Sequence, residues 1–395
     1  MMPSSTDYYD AKLGVVRIVA CLAIVLLHTL YSSMVLFADR ACSMQLMVSS
    51  VVTNELMWAV PAFLMVSGIL LLDRRRTITL RRAWKYIRRV LLALIVCSLG
   101  FRIFDIVMNQ EPMSLSTLLV ALQQLLTAGG WSPLWYLYLM IGLYLMLPFY
   151  YMISERSSET ELWFLLTILF IFCSIVPLIK ASGLNLGFYI PTSIIYPFYL
   201  FLGHAIWTYK KKWYCSCGIV MVLVSSIVIA LLTIRTFGMQ MSDTVTAILK
   251  QLNGYASLLV VLQASGLFLF IASLRKNTVV RSEGEKPTKE HRGETIESSV
   301  ERCSDDAHSV DAASSKQHRL WVHGQQWIRT LDACTFGIYL LHMVFIRLIL
   351  RYHDWNPYAA SVPVLAFAGF VLGIFLLSFV IILILKKLPI FKSFL

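Results

Sequence analysis

Apolar runs of about 20 residues recur along the chain, each long enough to cross the hydrocarbon core of a bilayer as one helix. They fall near 13–34, 49–72, 88–108, 131–152, 162–180, 189–208, 218–236, 255–273, 333–351 and 361–385. Inside a bilayer the backbone finds no water, so spans of this kind satisfy their N–H and C=O groups as helices. The pattern predicts an all-α, polytopic integral membrane protein with about ten transmembrane helices. One segment breaks the rhythm: from Arg275 to Arg329 the chain turns polar, with nine acidic and ten basic residues. Such a composition cannot bury a core and reads as a disordered loop. The expected organisation is a membrane domain over 1–275 with helices one to eight, a polar disordered cytoplasmic loop over 276–329, and the rest of the membrane domain over 330–395 with helices nine and ten. No internal repeat is visible, which weighs against transporter folds built from two matching halves.

Composition agrees: 58% of the 395 residues are hydrophobic and 14% charged, which excludes an ordinary soluble globule. The net charge of +12 raises nucleic acid as a partner, but no solvated basic face with reading elements exists outside the polar insert, so none is expected. The cations mark topology instead. Of 34 Lys and Arg residues, 27 fall on one side of the ten-span arrangement, eight of them within 73–89. Lys and Arg collect in cytoplasmic loops, so both termini are expected in the cytoplasm. Of the eight cysteines only Cys42 falls outside; no structural disulfide is expected, and Cys215-x-Cys217 is too isolated for a metal site.

Ionisable side chains within spans are costly and therefore point to function. Arg17 and His28 lie 11 residues apart in the first helix. At 100° per residue they share a face to about 20°, separated by about 16 Å along the axis. A fixed cation near the cytoplasm with a titratable base deeper on the same face suits an anionic donor entering from the cytoplasm. Snorkelling of Arg17 and an interhelical hydrogen bond of His28 are the structural alternatives. His342, in the ninth span, is either a satisfied core residue or part of the same site. Lys85, Arg88 and Arg89 end a basic run that serves topology or a phosphate-binding patch. Trp135 and Tyr136 are belt anchors or a platform for a sugar face, with Glu55 near the same outer half. Pro61, Ser67 and Gly68 permit a kink and close helix contact.

Arg17-x10-His28, PAFLMVSG, the basic stretch leading to Arg88 and Arg89, LWYLYLMIGLYLMLP, IYPFYLFLGHAIW and FGIYLLHM, in this order, resemble the acyltransferase-3 family of integral-membrane O-acyltransferases. The resemblance spans nearly the whole chain except the polar insert. It implies an enzyme of about ten helices that moves an acyl group, usually acetyl from cytoplasmic acetyl-CoA, to a hydroxyl of a cell-envelope glycan or glycolipid. Arg17 and His28 match the family's Arg-x10-His motif. Its Arg-x-x-Arg element is met by Lys85-Tyr86-Ile87-Arg88, with lysine in the first position, and Pro133 stands where many relatives carry His.

On this reading His28 is the general base and Arg17 binds the donor, with Lys85, Arg88 and Arg89 contacting the CoA phosphates. Trp135, Tyr136, Glu55 and His342 line the acceptor side, acetyl-CoA is the donor substrate, and no metal is required. Direct transfer and a covalent acyl relay both remain open. The rival reading is a transporter or flippase for a lipid-linked sugar or small metabolite, which ten helices with few buried charges also fit. The spacing sets no oligomeric state.

Overall fold

The structure, a computed structural model, describes residues 10–75, 77–112, 119–120, 123–125, 127, 130–184, 186–188, 190–240, 242–274 and 305–392. The described chain is helical, with no strand. The first helix, α1 (Ala11–Leu36), starts at Asp10, whose side chain caps the Lys12 amide. The second apolar run, expected as one helix, is two: α2 (Ser43–Glu55) and α3 (Ala59–Leu71), separated by a turn over 56–58. Pro61 causes the break, because its ring has no N–H to donate to the Met57 carbonyl and would clash with it in a continuous helix. In α4 (Leu80–Met108), capped by the Thr79 side chain, the helix begins well before the apolar run, so the basic residues Arg81–Arg89 form its first turns.

The chain continues through α5 (Trp135–Arg156), α6 (Glu159–Phe170), a π-turn over Ile171–Ile175, and α7 (Val176–Ala181). Pro177 follows the π-turn and denies a donor to the preceding carbonyls, which accounts for the widened turn. Next come α8 (Ile195–Thr208), α9 (Tyr214–Thr236), α10 (Asp243–Leu252) and α11 (Leu258–Ser273). The last helices are α12 (Asp305–Ile346), prolonged by a π-turn over Arg347–Tyr352, α13 (Pro363–Leu385) and the short α14 (Pro389–Lys392). Of the loop expected over 276–329, residues up to 304 lie outside the described residues, whereas from Asp305 the chain is helix rather than coil.

Among the described residues, eight helical stretches are long and apolar enough to cross a membrane. The two remaining expected spans are the shorter α8, with 14 residues, and α11, with 16. Every residue of α8 from Phe198 to Ile206 is buried, as expected of a helix apolar all round at the centre of a bundle. By contrast α9 turns Val220, Leu223, Val224, Ile227 and Leu231 outward, the apolar surface a lipid-facing helix needs.

Glycines let the central helices touch. A Cβ on Gly68 would stand 1.9 Å from the Leu200 carbonyl oxygen, and one on Gly203 would stand 2.3 Å from that of Met65. The α3 and α8 backbones are therefore in direct contact, the close approach that small residues allow in membranes.

Candidate active site

The site is built on the seam between α1 and α12. On α1 the positions 17, 24 and 28 share one face; on α12 the positions 332, 335, 339 and 342 form the facing stripe. They meet rung by rung. Arg17 Nη2 donates to Asp332 Oδ2 at 2.5 Å, Cys21 Sγ donates to the Thr335 carbonyl at 3.5 Å, and the His28 and His342 rings lie 5.3 Å apart at 47°. The rungs ascend in the same order on both helices, so α1 and α12 run parallel. The Asp332 side chain is only 3% exposed against 29% for Arg17. A carboxylate buried at such depth needs its cation.

Two cavities flank this seam. The first, of about 500 Å³, is lined by His28, Tyr31, Ser50, Asn54, Trp135 and Tyr255 among others, with no Lys, Arg, Asp or Glu. The second, of about 420 Å³, holds Arg17, Arg89 and Lys386 with Asp332, and the rings of Tyr86, Tyr136 and Tyr144. One half is thus neutral, rich in hydroxyl, amide and aromatic groups, and the other is cationic. Ile24, Val60 and Tyr339 border both.

The segment that supplies Ser132 and Trp135 to the His28 cavity is pinned on both sides. The Tyr339 hydroxyl donates to the Pro133 carbonyl at 2.6 Å. Trp131 Nε1 donates to Asp105 Oδ2 at 2.7 Å, Arg347 Nη1 reaches Asp105 Oδ1 at 3.2 Å, and the Arg347 guanidinium sits 3.9 Å from the Trp131 ring centroid, a cation–π contact. Trp135 stacks on Tyr255 with centroids 5.6 Å apart.

The expected site residues divide accordingly. Arg17 and His28 line adjoining cavities on one face of α1. Arg89 joins Arg17, whereas Lys85 and Arg88 are exposed and line neither cavity: Arg88 is turned about 100° from Arg89 around α4, and Lys85 lies one turn nearer the start of the helix on the side of Arg89. The same rotation between consecutive residues separates Trp135, which lines the His28 cavity, from Tyr136, which lines the Arg17 cavity, so the two residues expected together on the acceptor side face different cavities. Glu55 faces α9 and α11 instead of the cavity: Gln263 Nε2 donates to Glu55 Oε2 at 2.8 Å and to Ser226 Oγ at 3.0 Å. His342, expected on the acceptor side, is fully buried and lines neither cavity, with Nδ1 3.3 Å from the Ile338 carbonyl oxygen; it stands behind the His28 ring.

Asp332, Tyr339 and Lys386 belong to the site without having been singled out. Asp332 sits one residue before the ninth apolar run, and an acid so close to a span was the signal for it. Tyr339 lies within FGIYLLHM, three residues before His342. Among the described residues no group of three or more His, Cys, Asp or Glu side chains could hold a metal.

Apolar helices wrapped around a buried ion pair and a paired imidazole define a multi-pass membrane protein with an internal polar site. The chain belongs to the acyltransferase-3 family: the family's acyltransferase domain matches residues 10–383, essentially the whole chain. It is a membrane acyltransferase. Comparison with curated proteins and with solved structures gave no match.

Proposed function

We propose that the protein moves an acyl group, acetyl in the native reaction, from cytoplasmic acyl-CoA to a hydroxyl of a cell-envelope glycan or glycolipid. The observation that carries this reading is the pair of adjoining cavities, one cationic and one neutral, that meet one helical turn from His28. CoA is an anionic carrier on a thin, uncharged arm, which suits a donor cavity holding Arg17, Arg89 and Lys386. A sugar hydroxyl, uncharged and presented on an apolar ring face, suits the cavity of Trp135, Tyr255, Ser50 and Asn54. Lys85 and Arg88, exposed on the same helix as Arg89, draw the phosphates toward the mouth at longer range.

The chemistry follows from this division. His28 takes the proton of the acceptor hydroxyl as its oxygen attacks the thioester carbonyl, forming the new C–O bond. Collapse of the tetrahedral intermediate breaks the C–S bond, and the departing thiolate receives the proton from the His28 imidazolium. Products are the acylated acceptor and free CoA. Asp332 holds the Arg17 guanidinium on the donor side, and His342 holds the imidazole from behind.

Counted with α8 and α11, and with α2–α3 and α6–α7 as one span each, the protein crosses the cytoplasmic membrane ten times with both termini in the cytoplasm. The parallel course of α1 and α12 calls for an odd number of spans between them, which this count meets with seven. The test is to supply radiolabelled acetyl-CoA to membranes carrying the full-length protein. Release of free CoA with label passing to the envelope fraction is expected. Intact acetyl-CoA with an unmodified substrate carried across the membrane is the transporter outcome and overturns the proposal.

A further inference from the structure

Ile24 of α1, Val60 of α3 and Tyr339 of α12 border both cavities and are 2%, 8% and 6% exposed. They form the apolar boundary that the two cavities share, called the neck below. Ile24 and Val60 are β-branched and stiff on a helix. Tyr339 is equally constrained: its hydroxyl is held by the Pro133 carbonyl at 2.6 Å, and its ring packs against Tyr136 at 5.5 Å and His342 at 5.9 Å. Ile24 precedes His28 by one turn on the same face, about 6 Å of rise. A thioester carbonyl within reach of the His28 side and of a donor anchored at Arg17 therefore has its acyl substituent at this neck. Nothing charged lines it, so it offers an acyl chain only apolar contact.

We propose, resting on the acyl-CoA reading above, that Ile24, Val60 and Tyr339 form the acyl-binding subsite and restrict the enzyme to short acyl groups. An acetyl methyl fits between the two branched side chains and the phenol ring. A longer chain extends into the His28 cavity, where it takes the space of the acceptor. Ile24 sets the limit, because it is the neck residue nearest the imidazole on its own helix.

The experiment measures free-CoA release by native membranes carrying the full-length protein, supplied in turn with acetyl-, butyryl- and hexanoyl-CoA. The wild type is expected to turn over acetyl-CoA at least about tenfold faster than hexanoyl-CoA, and Ile24→Ala and Val60→Ala each to shrink that preference by about tenfold, the scale on which added or missing methylenes are discriminated. Ile24→Phe is expected to stop acetyl transfer while binding of unacylated radiolabelled CoA is kept, since the cations Arg17, Arg89 and Lys386 of the donor cavity remain in place. Ile24→Val, which removes a single methyl, gives a smaller shift in the same direction should an alanine variant fail to fold. A wild type that uses hexanoyl-CoA as fast as acetyl-CoA, or folded variants that keep the wild-type preference, overturns the subsite. A wild type that releases no CoA from any donor overturns the acyl-CoA reading itself, a separate and distinguishable result.

Discussion

His28 and His342 face each other across two parallel helices with ring centroids 5.3 Å apart, yet of the two only His28 lines either of the cavities flanking the seam. The two imidazoles therefore have different work. On the proposed reading, His342 is a fully buried wall behind the His28 ring, and a misplacement of a reacting group by about 1 Å can cost about 10²-fold in rate. We expect His342→Phe, which keeps a ring in that space, to retain most of the transfer rate, and His342→Ala to lose about tenfold or more in kcat with little change in KM for the donor. Steady-state CoA release with acetyl-CoA as donor measures both.

Arg17 and Asp332 form an ion pair in which the carboxylate side is buried. Removing one member deprives the other of its direct ion-pair partner, which costs up to about 3–5 kcal/mol for a buried pair; the partial exposure of Arg17 favours the lower end. Arg17→Ala and Asp332→Ala should each lower the thermal midpoint of the detergent-solubilised protein, and the double variant should be more stable than the Arg17→Ala single. Activity separates the two roles: donor KM stays high in the double variant, because the cation is still missing.

Gly68 packs against the backbone of Leu200, with only 1.9 Å for a Cβ. Backbone cannot swing aside, so Gly68→Ala forces α3 and α8 apart and should cost about 1–3 kcal/mol or more. Gly142 of α5 has nothing within 4 Å of the equivalent position, and Gly142→Ala should be neutral. Folded yield by size-exclusion profile, compared between the two variants, checks the difference.

Cys42 is exposed between α1 and α2, whereas Cys215 and Cys217 open α9 at half-buried positions. On the proposed orientation, with both termini in the cytoplasm, a membrane-impermeant maleimide should label Cys42 in intact cells, and Cys215 or Cys217 only after permeabilisation. The reverse pattern would invert the orientation of the whole bundle.

Most of this architecture was legible from hydropathy, because a bilayer leaves the backbone no choice but helix. What escaped the pattern is local. Pro61 could be read as a kink but not as the full break between α2 and α3, and the basic run before residue 88 hid the start of α4 by lowering its hydropathy. At the site, the 11-residue spacing sufficed to set Arg17 and His28 on one face. Spacing along one helix says nothing about neighbours, and so it could not reveal that Asp332 answers Arg17 or that Glu55 turns away toward Gln263. Tyr136 shows the same limit: one residue from Trp135 in sequence, it faces the other cavity because a helix turns 100° per residue.

The account rests on His28 as the base at the meeting point of donor and acceptor. The most direct measurement compares wild type, His28→Ala and His28→Gln, each verified as folded and membrane-inserted, for CoA release from acetyl-CoA and for the acetyl mass increment on envelope glycans. A base removed from the reacting hydroxyl should cost about 10²–10⁴ in rate, with CoA binding unchanged because Arg17, Arg89 and Lys386 line the other cavity. Transfer at the wild-type rate by His28→Ala would contradict the account.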